Sequence, residues 1–94
     1  MYIVRETFTA KPGKASSLAK LLKQVMTQMT TLKTRVLTDY IAAFNTVVVE
    51  VETDDLATFD RAMADYATRT DIQDLMKGYT DMYVTGKREV YRVV

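Results

Sequence analysis

The stretch Arg35-Val36-Leu37-Thr38-Asp39-Tyr40-Ile41, Ala42-Ala43-Phe44-Asn45, Thr46-Val47-Val48-Val49-Glu50-Val51-Glu52 decides the fold. Its two ends are rich in β-branched residues with a period of two, the mark of half-buried strands. On the second run Val47, Val49 and Val51 point one way, and Val48, Glu50 and Glu52 the other. Between them Ala42–Asn45 is expected to hold a hairpin, with Asn45 suited to a left-handed turn position.

Outward in both directions the period changes. Leu18, Leu21, Leu22, Val25, Met26 and Met29 recur at spacings of three and four, the apolar stripe of an amphipathic helix. The threonines at 27, 30, 31 and 34 erode helix propensity and mark its end. Before the helix, Lys11-Pro12-Gly13-Lys14 is a sharp break, and before that Tyr2–Thr9 alternates as a strand. That strand puts Tyr2, Val4, Glu6 and Phe8 on one face and Ile3, Arg5, Thr7 and Thr9 on the other, neither face purely apolar. Downstream, Thr53 or Asp54 can cap a second helix with the stripe Leu56, Phe59, Met63, Tyr66. A break near Thr68-Arg69-Thr70 leads to a short continuation capped by Thr70 and ended by Gly78 in the left-handed conformation. A last strand runs through Met82–Val94, with Tyr83, Thr85, Lys87, Glu89 and Tyr91 on one face.

The order β-α-β-β-α-β over 94 residues reads as one α+β domain, residues 1–94, of ferredoxin-like architecture. Interleaving its two βαβ halves predicts a four-stranded antiparallel sheet of order 4-1-3-2 with two helices on one face. The bare face would carry Val48, Val36 or Tyr40 among charges, too apolar for open solvent and too polar for a simple core. Pairing with a second identical sheet into a barrel would cover it, so a homodimer is the expected partner state.

Composition narrows the chemistry. Thirteen basic and twelve acidic residues nearly cancel, so no nucleic-acid footprint is expected, and no apolar run approaches a membrane span. Nothing at the N-terminus reads as a targeting signal, and the cytoplasm is the default expectation. Cysteine and histidine are both absent, so tight transition-metal binding lacks suitable ligands. Asp54, Asp55, Asp60 and Asp65 match no calcium-loop spacing. Three scattered glycines cannot make a phosphate-cradling loop, so no cofactor is expected.

Acid–base work would fall to carboxylates, lysine or tyrosine. Glu6 is the candidate catalytic group, because it interrupts the apolar series Val4-Glu6-Phe8 on a central strand. The alternative for Glu6 is a structural ion pair with Arg88 on the neighbouring last strand. Arg5, on the opposite face, pairs with Glu50 or clamps a carboxylate ligand. Tyr66, Tyr79 and Tyr83 fall where the second helix returns to the sheet. Arg5, Glu6 and Tyr83 are the expected anchors for a small, mostly apolar or aromatic ligand. Met26, Met29, Met63 and Met76 lie on the helix stripes as core fillers and adaptable pocket walls.

Taken together, Tyr2-Ile3-Val4-Arg5-Glu6, the Lys11-Pro12-Gly13-Lys14 turn and Gly86-Lys87-Arg88-Glu89-Val90-Tyr91-Arg92-Val93 resemble the dimeric α/β-barrel superfamily. Within it the chain is most similar to NIPSNAP-like and antibiotic-biosynthesis-monooxygenase-like members. The resemblance implies a ferredoxin-like protomer and a dimeric barrel. It also implies a possible activity, that of cofactor-independent oxygenases acting on electron-rich aromatics held between sheet and helices. Sites of that type draw on asparagine, tryptophan and histidine. This chain has neither tryptophan nor histidine, and its only asparagine, Asn45, falls in the hairpin, so none of those residues carries over. A purely structural module with a filled interior is the remaining expectation.

Overall fold

Strand β1 (Tyr2–Ala10) leads through the Pro12-Gly13 turn into helix α1 (Ala15–Thr27), and two strands follow, β2 (Lys33–Thr38) and β3 (Thr46–Thr53). Helix α2 (Leu56–Thr68), a short helix α3 (Thr70–Leu75), a single 3-10 turn (Tyr79–Asp81) and β4 (Tyr83–Arg92) complete the chain. This computed structural model describes all residues from 1 to 94. The sheet order is β2-β3-β1-β4 with every pairing antiparallel, which is the expected 4-1-3-2 read from the other edge. The second helical segment divides into α2 and α3 at the expected break near Arg69, and the 3-10 turn is the one element beyond expectation.

The alternation on β3 divides the two faces as the sequence predicts. Val47, Val49 and Val51 join Val4, Leu18, Leu22 and Phe59 in the buried core between sheet and helices. The helices cover this face alone, and the molecule is 18 Å across its thinnest direction, the depth of two layers.

The hairpin departs from the expected boundaries. β2 begins at Lys33 and ends at Thr38, so Tyr40 and Ile41 lie outside it. Asp39 stops the ladder: its carboxylate accepts from the Thr46 N–H at 3.0 Å and its own N–H donates to the Thr46 carbonyl at 3.2 Å. The tip then carries Tyr40, Ile41 and Phe44 almost fully in solvent, at 96, 90 and 86% exposure. Asn45 holds φ 63°, the left-handed conformation expected of it. The shifted register also moves Val36 to the covered face opposite Val49, leaving Leu37, opposite Val48, on the bare one.

Helix boundaries differ by single residues. The α2 cap is Asp55 rather than Thr53 or Asp54; its carboxylate accepts from the Thr58 N–H at 2.7 Å. Thr53 instead donates to the Asp55 carbonyl and orders the turn before the cap. At the break, Arg69 is extended (φ −80°, ψ 122°) and serves both helices, so Thr70 is the first residue of α3 and not its cap. Gly78 closes the segment at φ 79°, as expected.

Leu18 sits at the centre of the core with no exposed surface. Leu18→Ala is expected to lower unfolding stability by about 3 kcal/mol, the usual cost of such a cavity, read from urea or guanidinium midpoints.

Candidate functional site

Because successive side chains on a strand point to opposite faces, Arg5 and Glu6 part company on β1. Glu6 goes to the helix side. There Arg88, its partner on β4, donates from Nη2 to Glu6 Oε1 at 2.7 Å. The guanidinium also lies 5.5 Å from the centre of the Phe59 ring on α2. The pair is only half-buried, at 28% exposure for Glu6 and 53% for Arg88. Glu6 therefore keeps a second carboxylate oxygen free of any protein donor.

The pair forms one wall of a cavity of about 380 Å³ between sheet and helices. Val49, Val51 and Phe8 make its floor on the sheet, and Leu22, Val25 and Met26 its α1 side. Met63, Tyr66 and Ala67 enter from α2. Because the chain breaks at Arg69, α3 turns back over the same space and brings Ile72, Gln73 and Met76 to it, followed by Tyr79. Twelve of the fifteen lining residues are apolar or aromatic. No group of three histidine, cysteine or carboxylate side chains is placed to hold a metal ion.

Two tyrosines add polar tips. Burial pushes the Tyr79 phenol above its ordinary value, and the neighbouring Tyr83 and the Glu6 carboxylate push it the same way. Burial also raises Tyr66, partly opposed by Arg69 and supported by Asp71. The Tyr66 hydroxyl is buried and has no hydrogen-bond partner in the chain. Leaving such a group unpaired costs on the order of 1–3 kcal/mol.

Of the three expected anchors, then, only Glu6 lines the cavity. Tyr83 packs beside it, its ring 5.1 Å from Phe8 and 5.7 Å from Tyr79. The sequence alternation had placed Tyr83 on the face of Lys87 and Glu89. A bulge reverses this: Thr9 pairs with Thr85 but Ala10 with Tyr83, and the extra residue Val84 turns Tyr83 toward the helices. Arg5 lies on the bare face, donating from Nε and Nη2 to Glu50 Oε2 at 2.8 and 2.7 Å. Arg35 holds the other Glu50 oxygen in the same way, at 2.7 Å from both nitrogens. Tyr66 and Tyr79, two of the three tyrosines the sequence groups here, do line the cavity, whereas Arg88 and Gln73 escaped the sequence reading as lining residues; the Glu6–Arg88 register was the one signal that could have found the first.

Burial alone would raise the Glu50 carboxyl, but hydrogen bonds from Arg35 and Arg5, with their charges, outweigh it and hold it below its ordinary value. A carboxyl lowered in the fold contributes stability above its unfolded value, near 4.5, and loses it as pH falls through the folded one. Glu50→Gln is therefore expected to lower stability at neutral pH and to flatten the decline below about pH 4.5, seen in melts across pH 2.5–7. Glu6→Gln should cost less than ~1 kcal/mol, because its pair is half-exposed.

No family model matches the chain, and no curated protein matches it. Solved structures do. An uncharacterised NIPSNAP domain protein from Burkholderia xenovorans superposes with TM-score 0.84 at 16% identity, over 100% of this chain and 95% of that one. A NIPSNAP family protein from Agrobacterium tumefaciens gives 0.85 at 10% identity, over 99% and 85%. An antibiotic biosynthesis monooxygenase, so described, from Chloroflexus aurantiacus gives 0.76 at 14%, over 99% and 92%. The fold is thus the one these NIPSNAP and monooxygenase-like proteins share, in agreement with the resemblance read from the sequence.

Proposed function

We propose that this protein is a homodimeric small-molecule binder whose sheet–helix cavity takes a planar, mostly apolar molecule carrying one or two polar groups. The observation behind the proposal is the cavity itself, about 380 Å³, lined by apolar and aromatic side chains with few polar groups. That size and composition are those of ordinary ligand sites. The free oxygen of Glu6 accepts a hydrogen bond from the ligand, and the unpaired Tyr66 hydroxyl offers a second polar contact. Met26, Met63 and Met76 supply walls that adapt to the ligand outline.

Fluorescence titration with 2-naphthol as the probe tests this. Saturable uptake of one molecule per chain is expected. Met63→Trp, which places a larger ring in the cavity from the side of α2, should abolish uptake while leaving the circular dichroism spectrum intact. Glu6→Gln should weaken it about 10-fold, the loss of one hydrogen bond to a charged group. Binding indifferent to Met63→Trp, or no binding by naphthol or its unsubstituted and amino analogues, would overturn the proposal.

A second reading, a cofactor-independent oxygenase, is favoured by the fold shared with proteins described as antibiotic biosynthesis monooxygenases. Glu6 is then the base that takes the phenolic proton of an electron-rich substrate; one atom of O₂ bonds to a ring carbon, and the other leaves as water with electrons and protons that the substrate gives up on becoming a quinone. Oxygen consumption with 1,4-dihydroxynaphthalene, faster than its spontaneous oxidation and lost in Glu6→Gln, would distinguish enzyme from binder. A rate equal to the protein-free control removes this second reading and leaves the binding proposal standing.

A further inference from the structure

On the helix side of the sheet the cavity opens to solvent past Ala67, Gln73 and Arg88, the exposed members of its lining. Ala67 belongs to α2 and Arg88 to β4, both long elements. Gln73 belongs to α3, and with it come Ile72 and Met76, so α3 forms the third side of the mouth. That side is the loosely held one. A six-residue helix is too short to stand by itself, and Ile72 is the only residue that α3 buries. No backbone hydrogen bond joins Thr70–Asp81 to a strand or to α1.

The two ends of this segment are pivots. Arg69 is extended between two helices, at ψ 122°, and Gly78 stands at φ 79°, where glycine turns without strain. Beyond Gly78 the chain is pinned, because the Lys11 N–H donates to the Met82 carbonyl at 2.9 Å. Across the Arg69 pivot two side-chain contacts latch α3 to the end of α2. The Asp71 carboxylate accepts from Arg69 Nε and Nη2 at 3.1 and 2.6 Å, and the Gln73 amide donates to the Ala67 carbonyl at 2.7 Å. The Arg69 guanidinium also lies 5.4 Å from the Tyr66 ring, so its latch bears on the cavity wall. Both latches lie at the surface, where water competes for each partner. Short elements with few buried apolar contacts open well before the whole fold does. Motions that gate a site turn on a few terminal residues of this kind.

We infer that α3 is a lid over the cavity, swinging on Arg69 and Gly78 and held shut by the Asp71 and Gln73 latches. Raised, it widens the mouth beside Arg88; lowered, it returns Ile72 and Met76 to the wall. The lid is a property of this segment alone, and its use in admitting a ligand rests on the binding proposal.

The chain contains no cysteine, so a single introduced thiol reports on access. Val25→Cys places one in the cavity wall on α1, at a site 3% exposed. Val47→Cys places one in the core, at a site with no exposed surface and outside the cavity. Both are labelled with fluorescein maleimide, a bulky reagent. Val25→Cys is expected to react at least about 10-fold faster than Val47→Cys, which waits for global unfolding. Asp71→Asn and Gln73→Leu should each speed Val25→Cys about 3-fold and leave Val47→Cys unchanged, the effect of losing one surface contact. Equal rates at the two thiols, or a Val25→Cys rate that neither latch variant moves, would overturn the lid. Should Val25→Cys fail to fold, Val51→Cys, also 3% exposed and on the cavity floor, takes its place. Ligand entry is followed by stopped flow with 2-naphthol. Asp71 does not line the cavity. In Asp71→Asn, association and dissociation should therefore both rise about 3-fold, with the dissociation constant within about 2-fold of wild type. Binding with unchanged rates would overturn the lid as a gate. Absence of naphthol binding in every variant would remove the binding proposal instead, and the thiol rates would still decide the lid.

Discussion

Strand β1 is hydrogen-bonded on both sides, and it carries two adjacent charges that cannot share a face. Arg5 must go to one side of the sheet and Glu6 to the other. Each charge then needs a partner close by, because a charge held against a packed surface without one is costly. Glu50 answers Arg5 and also takes Arg35, so a single carboxylate, 5% exposed, ties three strands together on the bare face. Arg88 answers Glu6 and ties β1 to β4 on the other. The polar features of the protein, a charged row on one face and a polar cavity wall on the other, descend from this one dipeptide.

The cavity is a consequence of how the covering layer is made. A single long second helix would lay one straight stripe over the sheet. The extended Arg69 divides it, and α3 bridges the gap toward α1 instead of filling the space over β1. Arg69 is held in that conformation by its bidentate pair with Asp71, at 3.1 and 2.6 Å, and the Gln73 amide donates back to the Ala67 carbonyl at 2.7 Å. Side chains of moderate length then meet across a space they do not fill, and the Tyr66 hydroxyl is left without a partner inside it.

The sheet order, the buried valines of β3, the left-handed Asn45 and Gly78, and both long-range ion pairs of β1 were legible in the sequence. Each follows from strand alternation or from a dihedral that few residues tolerate. What escaped were local events that break a period. Asp39 ends β2 early because its side chain offers the backbone a better partner than the next ladder rung. The bulge at Val84 changes the parity of β4, so an alternation counted back from Lys87 assigns Tyr83 to the wrong side. The cavity was harder still. Met26, Met63 and Met76 look alike in sequence whether they close a core or leave room beside it, since a void depends on the path of the backbone and not on the residue type.

The central position of β1 also bears on how the chain acquires its shape. Arg5 waits for a partner 45 residues away, and Glu6 for one 82 residues away. The strand made first is thus flanked by strands made in the middle and at the end. During synthesis α1 can form and the β2–β3 hairpin can close, but β1 has one edge unpaired until β4 has left the ribosome. Contacts so distant in the chain slow folding, because a long loop must be ordered before they reward it. In that interval the open edge of β1 is a template for any extended strand, and Arg5 and Glu6, both charged, are the residues that discourage a wrong one.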